Sequence, residues 1–249
     1  MPTATTLLEG AARAAGAQAR PLVFDDPRVI VDLSLDGRVA TPLTSAVGVL
    51  AAAADACVFV QVEHEPLGLR AHRSPDAVAR AIDHAGLAVL PIAWWHPRAS
   101  GLDLAVRMSN PYEPERQVLG VRDPSLVQPA ARALAALGVE RALVVTCGDE
   151  GWIGIGDDTV GALLDGGRVR PFLVSGVGVS SSAIDARLAE GVSAALTRTL
   201  AGEPGPLAEL VALNAAAVLL VAGVMPTWVD AHQWSRVRLS QGVDLSDFR

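Results

Sequence analysis

Lysine is missing from this 249-residue chain, and all twenty basic side chains are arginine. The absence excludes a Schiff-base lysine, a lysine general base and any phosphate loop built around one. Cysteine is nearly missing too. Cys57 and Cys147 each lie inside an apolar run, ACVFV and LVVTC, which suits reduced thiols in core strands rather than a disulfide framework. Positive charge is in deficit: 20 basic against 27 acidic residues give a net charge of -7. That leaves no electrostatic footprint for a phosphate backbone, and no nucleic-acid partner is expected. Long hydrophobic runs are also lacking. The strongest, Val211 to Val224, is shorter than the roughly 20 residues a bilayer needs and carries Asn214, so it reads as a buried helix and no membrane partner is expected. The first residues have neither the basic start nor the apolar stretch of a signal peptide, and a cytoplasmic protein is expected.

What is plentiful is apolar side chain. With 51% hydrophobic and 19% charged residues, the chain has enough for a well-buried core, and disorder is excluded. Residues 6–19 read as an alanine-rich helix ending towards Pro21, so 1–20 is expected as an N-terminal helix or arm and 21–249 as a single α/β domain. Strands are predicted at Val29 to Leu33, at Cys57 to Val62, at Leu87 to Ala93 and at Arg141 to Cys147, from short apolar runs with β-branched content. Helices are predicted at Leu43 to Ala54, Pro75 to Ala85, Asp123 to Leu137, Ala183 to Ala201 and Leu207 to Gly223. Ser74 is the expected N-cap of the second of these, with Pro75 at its first position and Gly86 ending it. Residues 100–117 read as a long loop. The runs around Ala162 and Phe172, joined by Asp165-Gly166-Gly167, read as a hairpin. Strands alternating with helices predict an α/β fold, with a ligand crevice outside the carboxyl ends of the strands.

Arg116-Gln-Val-Leu-Gly-Val, followed by a proline-started helix and Leu137-Gly-Val-Glu-Arg-Ala-Leu-Val-Val, resembles the large domain of anthranilate phosphoribosyltransferase, in the nucleoside-phosphorylase-type glycosyltransferase family. So does Leu213-Asn-Ala-Ala-Ala-Val-Leu-Leu-Val-Ala-Gly, while Trp95-His96-Pro97 is similar to the aromatic-His-Pro step bordering that family's anthranilate pocket. The resemblance runs over residues 30–225 and implies a mostly parallel central sheet flanked by helices, here lacking the family's N-terminal helical domain. Family members hold phosphoribosyl pyrophosphate and magnesium with a Gly-Thr-Gly-Gly-Asp loop, a Lys-His-Gly-Asn step, a serine-rich stretch and an Asp-Glu pair. In their place this chain has Phe24-Asp-Asp-Pro or Asp36-Gly-Arg, then Val62-Glu-His-Glu-Pro-Leu-Gly. Gly151 to Ile155 stands where the acid pair should fall, with Asp149, Glu150, Asp157 and Asp158 displaced to either side.

The candidate catalytic residues are Glu63, His64, Glu65 and His96, each following a strand. Alternation would put Glu63 and Glu65 on one side and His64 on the other. Like charges there suit acid–base chemistry, and the competing reading is a solvated loop. Trp94 and Trp95 concentrate aromatic surface in a chain with only 4% aromatics and are candidate substrate contacts. Arg107 and Asn110 lie in the loop that, by the resemblance, contributes an arginine to the anthranilate carboxylate. The competing reading of Arg107 is a surface side chain paired with Glu113 or Glu115. Ser180 to Ser182 read as a helix cap. His72, His84 and His232 show no partner spacing. The reading that follows is an enzyme of small-molecule metabolism acting on an aromatic or carboxylate-bearing substrate by acid–base chemistry, without phosphoribosyl pyrophosphate, metal or other cofactor. A glycosyl transferase with an altered donor site, and a non-catalytic ligand-binding or structural subunit, stay open beside it. A homodimer is expected, with the alanine-rich segments 11–19 and 43–54 burying surface between copies.

Overall fold

Runs rich in Val, Leu and Ile at near five-residue length form the strands of one seven-stranded sheet in the computed structural model. It describes residues 2–18, 29–64, 67–95, 104–109, 112–176, 178–179, 184 and 191–248, with only the backbone of Gln18 and Trp95. The strands are β1 (Ile30–Ser34), β2 (Cys57–Val62), β3 (Leu87–Pro91), β4 (Arg116–Gly120), β5 (Arg141–Thr146), β6 (Thr159–Asp165) and β7 (Arg168–Val174). Their order is β3-β2-β1-β4-β5-β6-β7. The first five are mutually parallel, and β6 and β7 run antiparallel. Every residue of β1, β2 and β3 is buried, as parallel strands covered on both faces require. The β6–β7 hairpin turns at Gly166 and Gly167, both at positive φ, as the sequence predicts.

Helices cover both faces. On one lie α2 (Ala40–Ala52), α7 (Val192–Leu200), α8 (Pro206–Ala222) and α9 (Trp228–Ser240), packed with Val31, Leu33, Val58, Val60, Val118 and Leu143 of the sheet. On the other lie α1 (Ala4–Gln18), α3 (Pro75–Ala85), α5 (Leu104–Met108) and α6 (Val127–Ala136), against Phe59, Leu90, Leu119 and Val144. Ser74 caps α3 by accepting from the Ala77 amide, Pro75 follows, and Gly86 closes the helix.

The structure departs from the sequence reading in four places. The strand expected over Leu87 to Ala93 stops at Pro91, and the chain turns into the short helix α4 (Ile92–Trp95). The expected loop over 100–117 contains α5 and the start of β4, a central strand. Helix α9 was not anticipated. It is opened by Thr227, whose hydroxyl accepts from the Asp230 amide. Finally, residues 43–54 lie almost wholly inside the chain's own core, because α2 is sandwiched between the sheet and α8. That segment leaves little surface for a second copy.

Candidate functional site

In an open parallel sheet, the strand order reverses where neighbouring connections leave in opposite directions, and the gap outside the strand ends there is the usual ligand crevice. Here that point lies between β1 and β4, and the chain fills it with its own backbone. Asp36 and Gly151 pair as an antiparallel bridge, the Asp36 amide donating to the Gly151 carbonyl at 3.2 Å and the Gly151 amide returning to Asp36 at 2.8 Å. A Cβ on Gly120 would overlap the Gly151 carbonyl, and one on Gly151 would press on Gly120 and Asp36. Only glycine at both positions lets the mouths of β1, β4 and β5 approach this closely.

Side chains lace the same seam. Arg107 donates from Nη1 to the Gly120 carbonyl at 2.7 Å and from Nη2 to Asp36 Oδ2 at 3.0 Å. With 1% of its surface exposed, Arg107 is neither a surface residue paired with Glu113 or Glu115 nor a guanidinium presented at the mouth. The carboxylate it meets is the protein's own. Arg38 Nε lies 2.7 Å from Glu150 Oε1, and the Arg38 amide donates to the other carboxylate oxygen at 3.2 Å. Glu150 therefore faces the Asp36-Gly37-Arg38 turn, one of the two places the resemblance leaves for the donor loop; the other, Phe24 to Pro27, lies outside the described residues.

Beneath the seam lies a polar cluster that the sequence reading missed. Gln61 and Gln117 each donate from Nε2 to Asp32 Oδ2, at 2.6 and 2.8 Å, and to the Arg107 carbonyl, at 3.0 and 2.9 Å. All four residues are buried. The cluster ties α5 to β1, β2 and β4 by hydrogen bonds where apolar packing would be usual. Its signal was present: single polar residues at Asp32, Gln61 and Gln117 interrupt otherwise apolar strands.

Either side of the seam the molecule is hollow. A cavity of about 670 Å³ lies beyond β5, lined by Arg38, Cys147, Glu150, Trp152, Asp157 and Val179 among others. Burial pushes the Cys147 thiol above its ordinary range, so it stays protonated and a poor nucleophile near neutral pH. Within Gly151 to Ile155, near which the family's acid pair would fall, two positions are closed to acids. Ile153 is fully buried, with its amide and carbonyl both bonded to the Asn214 side chain at 2.9 Å, and a Cβ on Gly154 would overlap Cys147 Sγ. The acids nearby do not converge: Glu150 turns to Arg38, and Asp158 Oδ1 accepts from the Gly176 amide at 3.0 Å. Among the described residues, no group of three or more His, Cys, Asp or Glu is arranged to hold a metal ion.

On the opposite side, at the carboxyl ends of β2 and β3, a pocket of about 280 Å³ is lined by Glu63, His64, Arg73, Pro91, Ala93 and Trp94. Glu63 and His64 do not lie on opposite sides as strict alternation implies. The strand ends at Val62 and the chain bends, so both line one pocket; the Glu63 amide donates to Thr41 Oγ1 at 3.4 Å. Three of the candidate residues thus come together, and Arg73, which the sequence reading passed over, joins them. Glu65, His96, Asn110 and Ser180 to Ser182 lie outside the described residues, as does the side chain of Trp95.

Residues 64–244 match the glycosyl transferase family, a/b domain. Anthranilate phosphoribosyltransferase 2 of Ralstonia nicotianae is 34% identical over 202 residues, covering 72% of this chain and 58% of that protein. The anthranilate phosphoribosyltransferase of Symbiobacterium thermophilum is 34% identical over 237 residues, covering 84% of this chain and 60% of that protein. The chain spans about half to three-fifths of the length of the curated relatives it matches. Among solved structures, anthranilate phosphoribosyltransferase from Thermus thermophilus superposes with a TM-score of 0.74 at 25% identity, over 96% of this chain and 81% of that one. The Saccharomyces cerevisiae enzyme in complex with 4-fluoroanthranilate superposes at 0.75 and 13% identity, over 98% and 78%, a likeness of fold. Sequence and fold agree over most of the chain, which belongs to the glycosyl transferase family and is anthranilate phosphoribosyltransferase-like in its α/β domain.

Proposed function

We propose that the chain is a small-molecule enzyme of this family that acts on an aromatic or carboxylate-bearing substrate by acid–base chemistry, without a phosphoribosyl pyrophosphate donor. The observation that carries the reading is the meeting of Glu63, His64 and Trp94 in one pocket at the ends of β2 and β3. An imidazole and a carboxylate on one wall can take a proton from a bound molecule and return it, while the indole offers a flat surface for a ring. Glu65 and His96 belong to the same proposal by their place after β2 and β3.

Three features support a reaction without the donor. A magnesium–pyrophosphate group needs carboxylates for the metal and open amides or cations for the phosphates. Ile153 and Gly154 have no acid to offer, and the amide of Arg38 is already taken by Glu150. The chain also holds no lysine. Among the described residues, these positions do not offer the ligands that group needs, which supports the reading.

Thermal-shift screening of metabolites identifies a ligand, because one that binds only the native state raises its melting temperature. With that ligand, His64→Ala is expected to lower turnover about 100-fold or more while the protein stays folded. An unchanged rate removes the acid–base assignment. Calorimetry with phosphoribosyl pyrophosphate is expected to show no heat that depends on magnesium, and a saturable magnesium-dependent heat would favour donor-dependent transfer instead.

A further inference from the structure

We propose that the surface groove beside α3 binds the anionic group of a small organic ligand, a carboxylate or a phosphate ester, and that Arg73 joins this groove to the His64 pocket. The placement of the ligand's ring at Trp94 rests on the function proposed above; the anion site itself does not.

The groove, about 1060 Å³, runs along the outer edge of the sheet past Arg70, His72, Arg73, Ser74 and Arg80. Its acids among the described residues are Asp83 and Asp247. In a protein of net charge -7, a wall whose described residues carry three arginines against two carboxylates reverses the local sign. Arginine presents a planar fork of donors that matches carboxylate and phosphate oxygens two at a time.

The uncharged polar groups point the same way. His72 Nδ1 accepts from the Val89 amide at 3.1 Å, which leaves the ring's proton on Nε2, so the remaining polar atom of the ring is a donor. Ser74 Oγ accepts from the Ala77 amide at 3.2 Å, leaving its hydroxyl proton to donate. A ligand meeting these atoms meets donors, as an anion requires. Arg73 is the cation that lines both the groove and the pocket of Glu63, His64 and Trp94. Arg107, considered from the sequence for a ligand carboxylate, bonds Asp36 and Gly120 inside the protein. An anionic group at Arg73 thus leaves the body of the same molecule within reach of Trp94.

Full-length protein titrated with inorganic phosphate and with benzoate, at constant ionic strength in chloride, tests the site by calorimetry. Saturable binding of at least one probe is expected. Phosphate alone assigns a phosphate ester, benzoate alone a carboxylate, and both a site for either. Arg73→Ala and Arg80→Ala are each expected to weaken the bound probe about tenfold, the loss of one charge-assisted hydrogen bond. Arg122→Ala, on the far side of the sheet's mouth, is expected to change nothing. Absence of saturable binding for both probes, or equal effects of all three substitutions, overturns the proposal. Phosphate affinity is expected to survive His64→Ala, so a failure of the acid–base reading and a failure of the anion site are told apart.

Discussion

His72 shows how a single ring holds the border of the sheet. Its amide donates to the Val89 carbonyl at 2.8 Å and its Nδ1 accepts from the Val89 amide at 3.1 Å, so one residue satisfies both backbone groups of Val89 on the open side of β3. An open edge left unpaired is a template for association with other chains. The acceptor role needs a neutral ring. Burial, the largest cause, lowers the His72 pKa from its ordinary value near 6.5, and Arg70 adds to it. With the folded pKa below the unfolded one, protons bind the unfolded chain more tightly. The stability His72 contributes is therefore fully present above pH 6.5 and is lost as pH falls below it. His72→Gln keeps an acceptor and does not titrate. Urea midpoints at pH 7.5 and pH 5.0 are expected to fall further for the wild type than for the variant, and parallel losses would show that His72 does not carry the effect.

Among elements, the join between α8 and the wall of the large cavity depends on one side chain. Asn214 lies in the apolar middle of its helix, where it bonds the amide and carbonyl of Ile153 and the Leu210 carbonyl at 2.8 Å. Asn214→Leu leaves two buried backbone groups of Ile153 unpaired, at a cost of about 3 kcal/mol. A urea midpoint that does not move would show the loop held by other contacts. In the sequence that asparagine argued against a membrane span, but its partner was invisible because it lies sixty residues away in the chain. Elements whose cause is local were legible. Ser74-Pro75 before α3 and Gly166-Gly167 between β6 and β7 act within a few residues, and each formed where expected. Elements whose cause is distant were not. Gln117 makes β4 look like loop until Asp32 and Arg107 are seen to receive it, and α9 carries polar residues around most of its circumference, so no apolar stripe announced it. Its Thr227 and Asp230 pair, which bond each other at 2.6 Å, was the local signal available. At the site, the strand-end positions of Glu63, His64 and Trp94 were legible, but not that they line one pocket, and the burial of Arg107 depends on Asp36 and Gly120, which no spacing reveals.

For the molecule as a whole, the seam at Asp36, Gly120 and Gly151 decides where space remains. It divides the carboxyl-end face into the cavity beyond β5 and the pocket beyond β2, and it fixes three strand mouths to one another through backbone. Loops after parallel strands are ordinarily the parts of an α/β protein that breathe first, because few bonds hold them to the sheet. Here the Gly151 and Asp36 amides are bonded across the seam like ladder amides. In deuterated water both are expected to retain their protons on the timescale of the β5 amides, while Asp149, two residues away and exposed, exchanges early. Simultaneous exchange of Gly151 and Asp149 would show the seam opening locally. If the protection holds, the three mouths open only with the sheet itself, and a molecule entering either hollow meets a wall as durable as the core.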